Sequence, residues 1–214
     1  GLDRVIAFDF ETVNELGDVV IVTLAAEIMG RHSNLILIGP EGRIIDAVKR
    51  VSDEVSSVRT VLPGGTYTLP PAQDKLDLLC TSDEEIMERF LSLPSIDCAK
   101  SLMQTLEGIS PVLSRELIYR ALKGGDIEKD RLSSYYKNRI REEISALRAR
   151  LLDGTCEYIA VQDEAKKLRE FTLMDLTQYG NVEKKESFDS PSALLDNFYA
   201  ERDRVARMKQ RSHD

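Results

Sequence analysis

Asn34-Leu35-Ile36-Leu37-Ile38-Gly39-Pro40-Glu41-Gly42-Arg43-Ile44-Ile45-Asp46-Ala47-Val48 is the stretch whose reading decides the first half of the chain. Two β-branched runs flank a four-residue Gly/Pro turn. That combination favours an antiparallel hairpin over a helix. Upstream, Val5–Val13 alternates in part and reads as a strand, with a turn at residues 14–18 where Gly17 supplies the freedom. Residues 19–29 mix β-branched and helix-favouring types, so strand and helix both stay open there. Downstream, Leu62-Pro63-Gly64-Gly65 and Pro70-Pro71 interrupt regular structure and end the β-rich part near Lys75.

Beyond this point the hydrophobic period changes to that of helices. Ser82-Asp83-Glu84-Glu85 is a capping box ahead of Ile86, Met87, Phe90 and Leu91. A second helix fits residues 96–107 and stops at Gly108. Ser110 as N-cap and Pro111 as first helical residue open a third, which runs to about Leu122 before Gly124-Gly125. A longer helix covers roughly residues 132–152 and closes at Gly154. Residues 155–161 and 171–176 are short apolar runs that predict a returning β-hairpin. Ser190-Pro191-Ser192 caps a last helix with Leu194, Leu195, Phe198 and Tyr199 on one face. Residues 201–211 are almost entirely charged, so this helix is expected to continue as a coiled-coil arm. Strands followed by helices give the class α+β. The expected divisions are a β-rich domain at 1–81, a helical domain at 82–154, a β-hairpin segment at 155–189 and the start of a coiled coil at 190–214.

The composition narrows the function classes. Hydrophobic residues make up 42% of the 214, enough for a core, and tryptophan is absent, so that core is mainly aliphatic. No apolar run reaches the roughly 18 residues of a membrane span. The opening Gly1-Leu2-Asp3-Arg4 has no initiator methionine and no signal-peptide pattern. The chain is therefore read as an internal piece of a longer, cytoplasmic protein. Cys80, Cys98 and Cys156 are too scattered for a disulfide framework or a zinc site. The net charge of -8 disfavours nucleic acid as a partner, but the charge is segregated. Residues 110–150 hold ten Lys/Arg against six Asp/Glu, an excess of +4 in an otherwise acidic chain.

Two strings could carry chemistry. Thr105-Leu106-Glu107-Gly108-Ile109-Ser110-Pro111 joins two helices by a tight turn of the helix-hairpin-helix kind, whose outward backbone N–H groups can hold a phosphate. Ser110 stands where that motif usually has a second glycine, and Arg115 is the nearest basic residue after it. Glu27-Ile28-Met29-Gly30-Arg31-His32-Ser33-Asn34 concentrates polar groups before the hairpin. Asn and Ser at a strand entry ordinarily make turn hydrogen bonds, and a lone histidine is seldom a ligand. No phosphate-cradling glycine loop, dinucleotide fingerprint or zinc-protease string is present, so no enzyme, cofactor or metal is expected.

These strings are more specific together. Gly1-Leu2-Asp3-Arg4, Asn14 through Asp18, Glu27 through Asn34, Leu35-Ile36-Leu37, Arg59 through Gly64 and Leu69 through Lys75 come first. Gly108-Ile109-Ser110-Pro111 and Ser190 through Tyr199 follow. In this order and spacing they resemble the NFACT family of ribosome-associated quality-control proteins, the RqcH and fibronectin-binding protein A-like factors, over essentially the whole chain.

The resemblance implies the later part of a β-rich, glycosylase-like N-terminal domain, a helix-hairpin-helix domain and the root of a coiled coil. It implies binding to the obstructed large ribosomal subunit with its peptidyl-tRNA. It further implies recruitment of tRNA for template-independent alanine tailing, with peptide bonds left to the ribosome, and a small S4-like partner, RqcP. Fibronectin is the alternative partner, from the older family name. By the same resemblance Asp3 and Arg4 match a motif implicated in tRNA engagement, and Glu27, Arg31, His32, Ser33 and Asn34, which match the family's other strongly patterned string, are expected RNA contacts. Arg4, Arg31 and His32 are expected on one face of the β-rich domain, with Gly108, Ser110 and Arg115 as a further RNA contact.

Overall fold

The computed structural model describes residues 4–54, 56–162, 168–180 and 184–211. The chain divides into two compact units, 1–74 and 75–214.

The first unit is a four-stranded antiparallel meander, β1 (Val5–Val13), β2 (Val19–Glu27), β3 (Asn34–Ile38) and β4 (Ile44–Ala47), in that spatial order. Residues 19–27 become a strand because both of their edges are paired, Val13 with Val19 on one side and Thr23 with Ile38 on the other. A central strand is buffered by neighbours on both edges, which decides the ambiguity that propensity leaves. Alternation assigns the two faces. Ala25, Ile36, Ile38 and Ile44 point to one face and are buried together with Val61, which the long segment after β4 brings across them. Val51 and Val61 bridge each other within that segment. The opposite face presents Ile6, Phe8 and Phe10 about half exposed.

The second unit begins earlier than the sequence suggests. Residues 75–81 were expected to end the β-rich domain. Instead, Leu76 N–H donates to the Thr105 carbonyl at 2.8 Å and Glu107 N–H donates to the Leu76 carbonyl at 2.9 Å, while Leu78 is fully buried. Four helices follow: α1 (Asp83–Ser92), α2 (Cys98–Thr105), α3 (Pro111–Ala121) and α4 (Ser134–Asp153). Each N-terminus is capped as its sequence dictates, by Ser82, Asp97, Ser110 and Ser133. The second helix is shorter than residues 96–107, since Asp97 caps it at the front and Leu106 leaves it to pair with Leu76.

The expected hairpin at 155–176 is present as β5 (Tyr158–Gln162) and β6 (Leu168–Thr172), and a third strand, β7 (Lys184–Phe188), pairs with the other edge of β5. Nothing in Lys184-Lys185-Glu186-Ser187-Phe188 alternates in hydrophobicity, so that strand was not legible. β5 is apolar on both faces because both are covered. Val161 packs with Val112 and Leu176, and Ala160 packs with Leu194 and Phe198 of α5 (Pro191–Arg211). Past Phe198 the helix loses its packing, and Met208 is 64% exposed. None of the helices among the described residues is long and apolar enough to cross a membrane.

Candidate functional site

Residues 28–33 connect β2 to β3 and carry a single 3-10 turn over Gly30–His32. Gly30 sits at φ +58°, a left-handed conformation that costs glycine little. The ends of the loop are clamped by buried polar groups. Glu27 points inward with 3% exposure, where its Oε1 accepts from Arg59 Nη2 at 2.6 Å and from Tyr67 Oη at 3.0 Å. The Arg59 guanidinium lies 5.5 Å from the Tyr67 ring centroid. Burial, and then the bond to Glu27, push the Tyr67 phenol up to about 12, so it donates throughout the neutral range. At the other end, Asn34 Nδ2 donates to the Lys49 carbonyl at 2.8 Å, and Lys49 N–H donates to Asn34 Oδ1 at 2.9 Å. Inside the loop, Ser33 Oγ accepts from Met29 N–H at 2.9 Å.

Glu27, Ser33 and Asn34, expected as contact residues, therefore have their polar groups engaged within the domain. They are occupied as strand-entry residues ordinarily are. Arg31 and His32 are what the loop presents. Both are exposed, and Arg31 Nε donates to His32 Nε2 at 2.9 Å. Two further cations join them. Lys49 Nζ donates to the Arg31 carbonyl at 3.0 Å. Arg4 accepts Ile28 N–H on its carbonyl at 2.7 Å, and its guanidinium reaches Met29 Sδ at 3.4 Å and the Pro71 carbonyl at 2.7 Å. Asp3 lies outside the described residues. Arg4, Arg31 and Lys49 thus converge on one corner, and the loop's own carboxylate, Glu27, is turned inward. The chemistry of such a corner is anion recognition, since guanidinium forks suit phosphate and planar bases.

Sequence reading missed Lys49 and Tyr67, and it marked Arg59 and Pro71 only as parts of the strings that carry the family resemblance. Lys49-Arg50 was legible as charge, but only the β3–β4 pairing brings Lys49 beside Arg31. Arg50 is turned to Asp46 at 3.1 Å, and this bond holds the Asp46 carboxyl below its usual range.

The turn of the second unit differs in character. Gly108 takes φ +68°, and Ser110 Oγ accepts the Leu113 amide at 3.2 Å. Arg115 is engaged by Glu170 at 3.1 Å. Gly108 and Ser110 wall a groove of about 470 Å3 whose other walls include Leu113, Phe171, Leu194 and Phe198. The turn thus faces an apolar groove that Arg202 of α5 also lines, its guanidinium 5.8 Å from the Phe198 ring centroid. Among the described residues no cluster of His, Cys, Asp or Glu could hold a metal ion.

Comparison with known proteins agrees with this architecture. A family model described as NFACT N-terminal and middle domains matches residues 1–214. The Rqc2 homolog RqcH of Bacillus subtilis is 36% identical over 98% of this chain, and its Streptococcus suis counterpart is 33% identical over 95%. The chain spans about a third of the length of these relatives, 35% and 32%. Among solved structures, the fibrinogen binding protein from Staphylococcus aureus matches with a TM-score of 0.69 at 27% identity, over 92% of this chain and 66% of that one. The N-terminal part of the fibronectin/fibrinogen-binding protein from Streptococcus suis matches with a TM-score of 0.60 at 28% identity, over 92% and 64%. With the model matched from end to end, the chain belongs to the NFACT family.

Proposed function

We propose that this chain is the RNA-contacting part of a cytoplasmic ribosome-associated quality-control factor, and that the corner built from Arg4, Arg31, His32 and Lys49 engages tRNA. The supporting observation is the division of labour in the loop at 28–33. Buried Glu27 and Asn34 fix its shape, leaving Arg31 and His32 exposed beside two more cations. A rigid cationic corner suits a phosphate backbone next to a splayed base. The chain supplies positioning rather than catalysis in this reading. The ribosome forms the peptide bonds of the alanine tail, and the large subunit with its peptidyl-tRNA and the S4-like RqcP are the other partners. The kinship to proteins named RqcH supports the same assignment.

The test is tRNA binding by the full-length protein across a salt series, with Arg4→Ala and Arg31→Ala alongside. Each substitution should weaken binding about tenfold and reduce the salt slope by about one ion. Unchanged affinity in both would remove tRNA from this corner. A second reading, binding of fibronectin, has support in the name of one solved relative, the fibronectin/fibrinogen-binding protein from Streptococcus suis. It predicts an affinity for fibronectin that neither arginine substitution changes.

A further inference from the structure

We infer that the groove beside Gly108 and Ser110 docks an extended apolar segment of a partner protein, carrying an acidic residue, which adds as a further strand on the outer edge of β6. This goes beyond the tRNA corner and does not depend on it, since the groove lies wholly within the second unit.

The groove follows a strand edge and does not cross a sheet face. Its wall takes in Glu170, Phe171, Thr172 and Leu173, consecutive residues at the end of β6 and just past it. Successive side chains of a strand point to opposite faces. Glu170 is on the face toward α3, where Arg115 bonds it at 3.1 Å. Phe171 is on the face toward α5, its ring centroid 4.8 Å from that of Phe198. One cavity touches side chains of both faces only by running along the edge between them. That edge is the outer one, because the strand order is β6-β5-β7 and β5 takes the inner edge of β6. Among the described residues no backbone bond crosses the outer edge.

An open row of N–H and C=O groups is a template for another strand. Here both flanks of that row are apolar. Val112 and Leu113 of α3 line one, and Leu194, Leu195 and Phe198 of α5 line the other. Backbone pairing supplies affinity in such an arrangement, and apolar side chains at alternate positions fill the two flanks. At about 470 Å3 the groove has the size of an ordinary ligand site.

Thr172 is a second, independent sign. It is 6% exposed, yet its hydroxyl has no hydrogen-bond partner among the described residues. Buried hydroxyls are ordinarily bonded. Thr172 lies on the groove wall, where an incoming strand brings backbone donors and acceptors. Neither an acyl chain nor a nucleotide offers a row of amides at strand spacing, so a peptide is the matching occupant.

Charge sets the kind of peptide. Among the described residues the charged members of the wall are Glu170 and Arg202. Glu170 is already engaged, by Arg115 at 3.1 Å and by the Tyr179 hydroxyl at 2.5 Å. Arg202 is exposed and lies 5.8 Å from the centroids of both Phe198 and Tyr199. A guanidinium stacked on rings still presents its edge N–H groups to a carboxylate. An acidic residue in the segment is thereby matched and a basic one opposed.

The experiment displays random peptides of about seven residues, roughly one strand length, to the full-length protein and then uses the enriched peptide, synthesised, as the probe. Enriched sequences should carry apolar residues at every second position and an acidic residue among them. Methylating one alternate set of the probe's backbone amides should abolish binding, while methylating the other set leaves it intact. This arm needs no protein variant, so folding does not enter it. Leu195→Glu and Arg202→Glu, at exposed positions of α5, should each weaken the probe about tenfold. A probe with lysine in place of its acidic residue should bind Arg202→Glu better than the parent. No enrichment, apolar residues at helical spacing, or indifference to which amides are methylated would overturn the proposal. So would a parent dimer that Leu195→Glu abolishes, which puts a second copy in the groove. Loss of tRNA binding in Leu195→Glu without loss of the probe would give the groove to RNA and overturn it too. Arg4→Ala should leave probe binding unchanged, which keeps this test separate from that of the tRNA corner.

Discussion

Asn34 holds the backbone of Lys49 from both sides, donating to its carbonyl at 2.8 Å and accepting its amide at 2.9 Å. A side-chain amide here extends the pairing one step past its last main-chain bond, in which Val48 N–H donates to the Leu35 carbonyl at 2.9 Å. Lys49 in turn reaches the Arg31 carbonyl. The shape of the cationic loop is therefore set by a residue that presents nothing to solvent.

Asn34→Asp keeps the acceptor but removes the donor, placing a carboxylate against the Lys49 carbonyl. It should cost about 1–3 kcal/mol of stability, more than the steric equivalence of the two side chains suggests. Urea unfolding of the parent and the variant checks this. Coincident midpoints would show that the amide donor contributes nothing.

Glu27→Gln removes the charge facing the Arg59 guanidinium, whose side chain is only 12% exposed. Breaking one partner of a buried pair leaves the other charge uncompensated, so a loss of about 3 kcal/mol is expected. The double variant Glu27→Gln with Arg59→Met should recover part of that loss. A double variant as unstable as the sum of the single ones would mean the two residues are not coupled.

Glu116 is fully buried on α3, where burial opposes its ionisation. Bonds from Arg120 at 2.6 Å, Thr177 Oγ1 at 2.6 Å and the amides of Thr177 and Gln178 at 2.9 and 3.0 Å outweigh that, and hold its carboxyl below the usual 4.5. A carboxylate lowered in the folded state contributes stability that is complete above its unfolded value and is lost as pH falls through the folded one. Asp83, held below its usual 3.8 against its burial by bonds from Ser145 and Arg148, acts in the same direction. Stability should therefore be level through neutrality and decline below about pH 4.5. Glu116→Gln should lower the plateau by about 2 kcal/mol and flatten the acid decline. Parallel acid limbs in urea midpoints measured against pH would refute the role of Glu116.

Gly154 and Gly124 both take left-handed φ, +67° and +78°, but only Gly124 has a ring against it. Gly154→Ala should cost about 1 kcal/mol from backbone strain alone. Gly124→Ala adds the displacement of Tyr119 and should cost measurably more. Equal thermal midpoints for the two variants would show that Tyr119 moves aside freely.

What the sequence determined by itself was local. Capping side chains, Gly/Pro turns and hydrophobic period place the first hairpin, the helix starts at Ser82 and Ser110, and the glycine stop at Gly154, because each depends on residues a few positions apart. The family strings marked residues 27–34 as special for the same reason. Tertiary structure decided everything that depends on distant partners. It made residues 19–27 a strand by pairing both edges and recruited the polar residues 184–188 as β7. It moved the start of the second unit forward to Lys75 through the pairing of Leu76 with Leu106. It also separated Glu27 and Asn34, whose polar groups are satisfied inside, from Arg31 and His32, which face solvent. Four polar residues adjacent in a string look alike until strand alternation and the burial of Arg59 and Tyr67 show which face each one occupies.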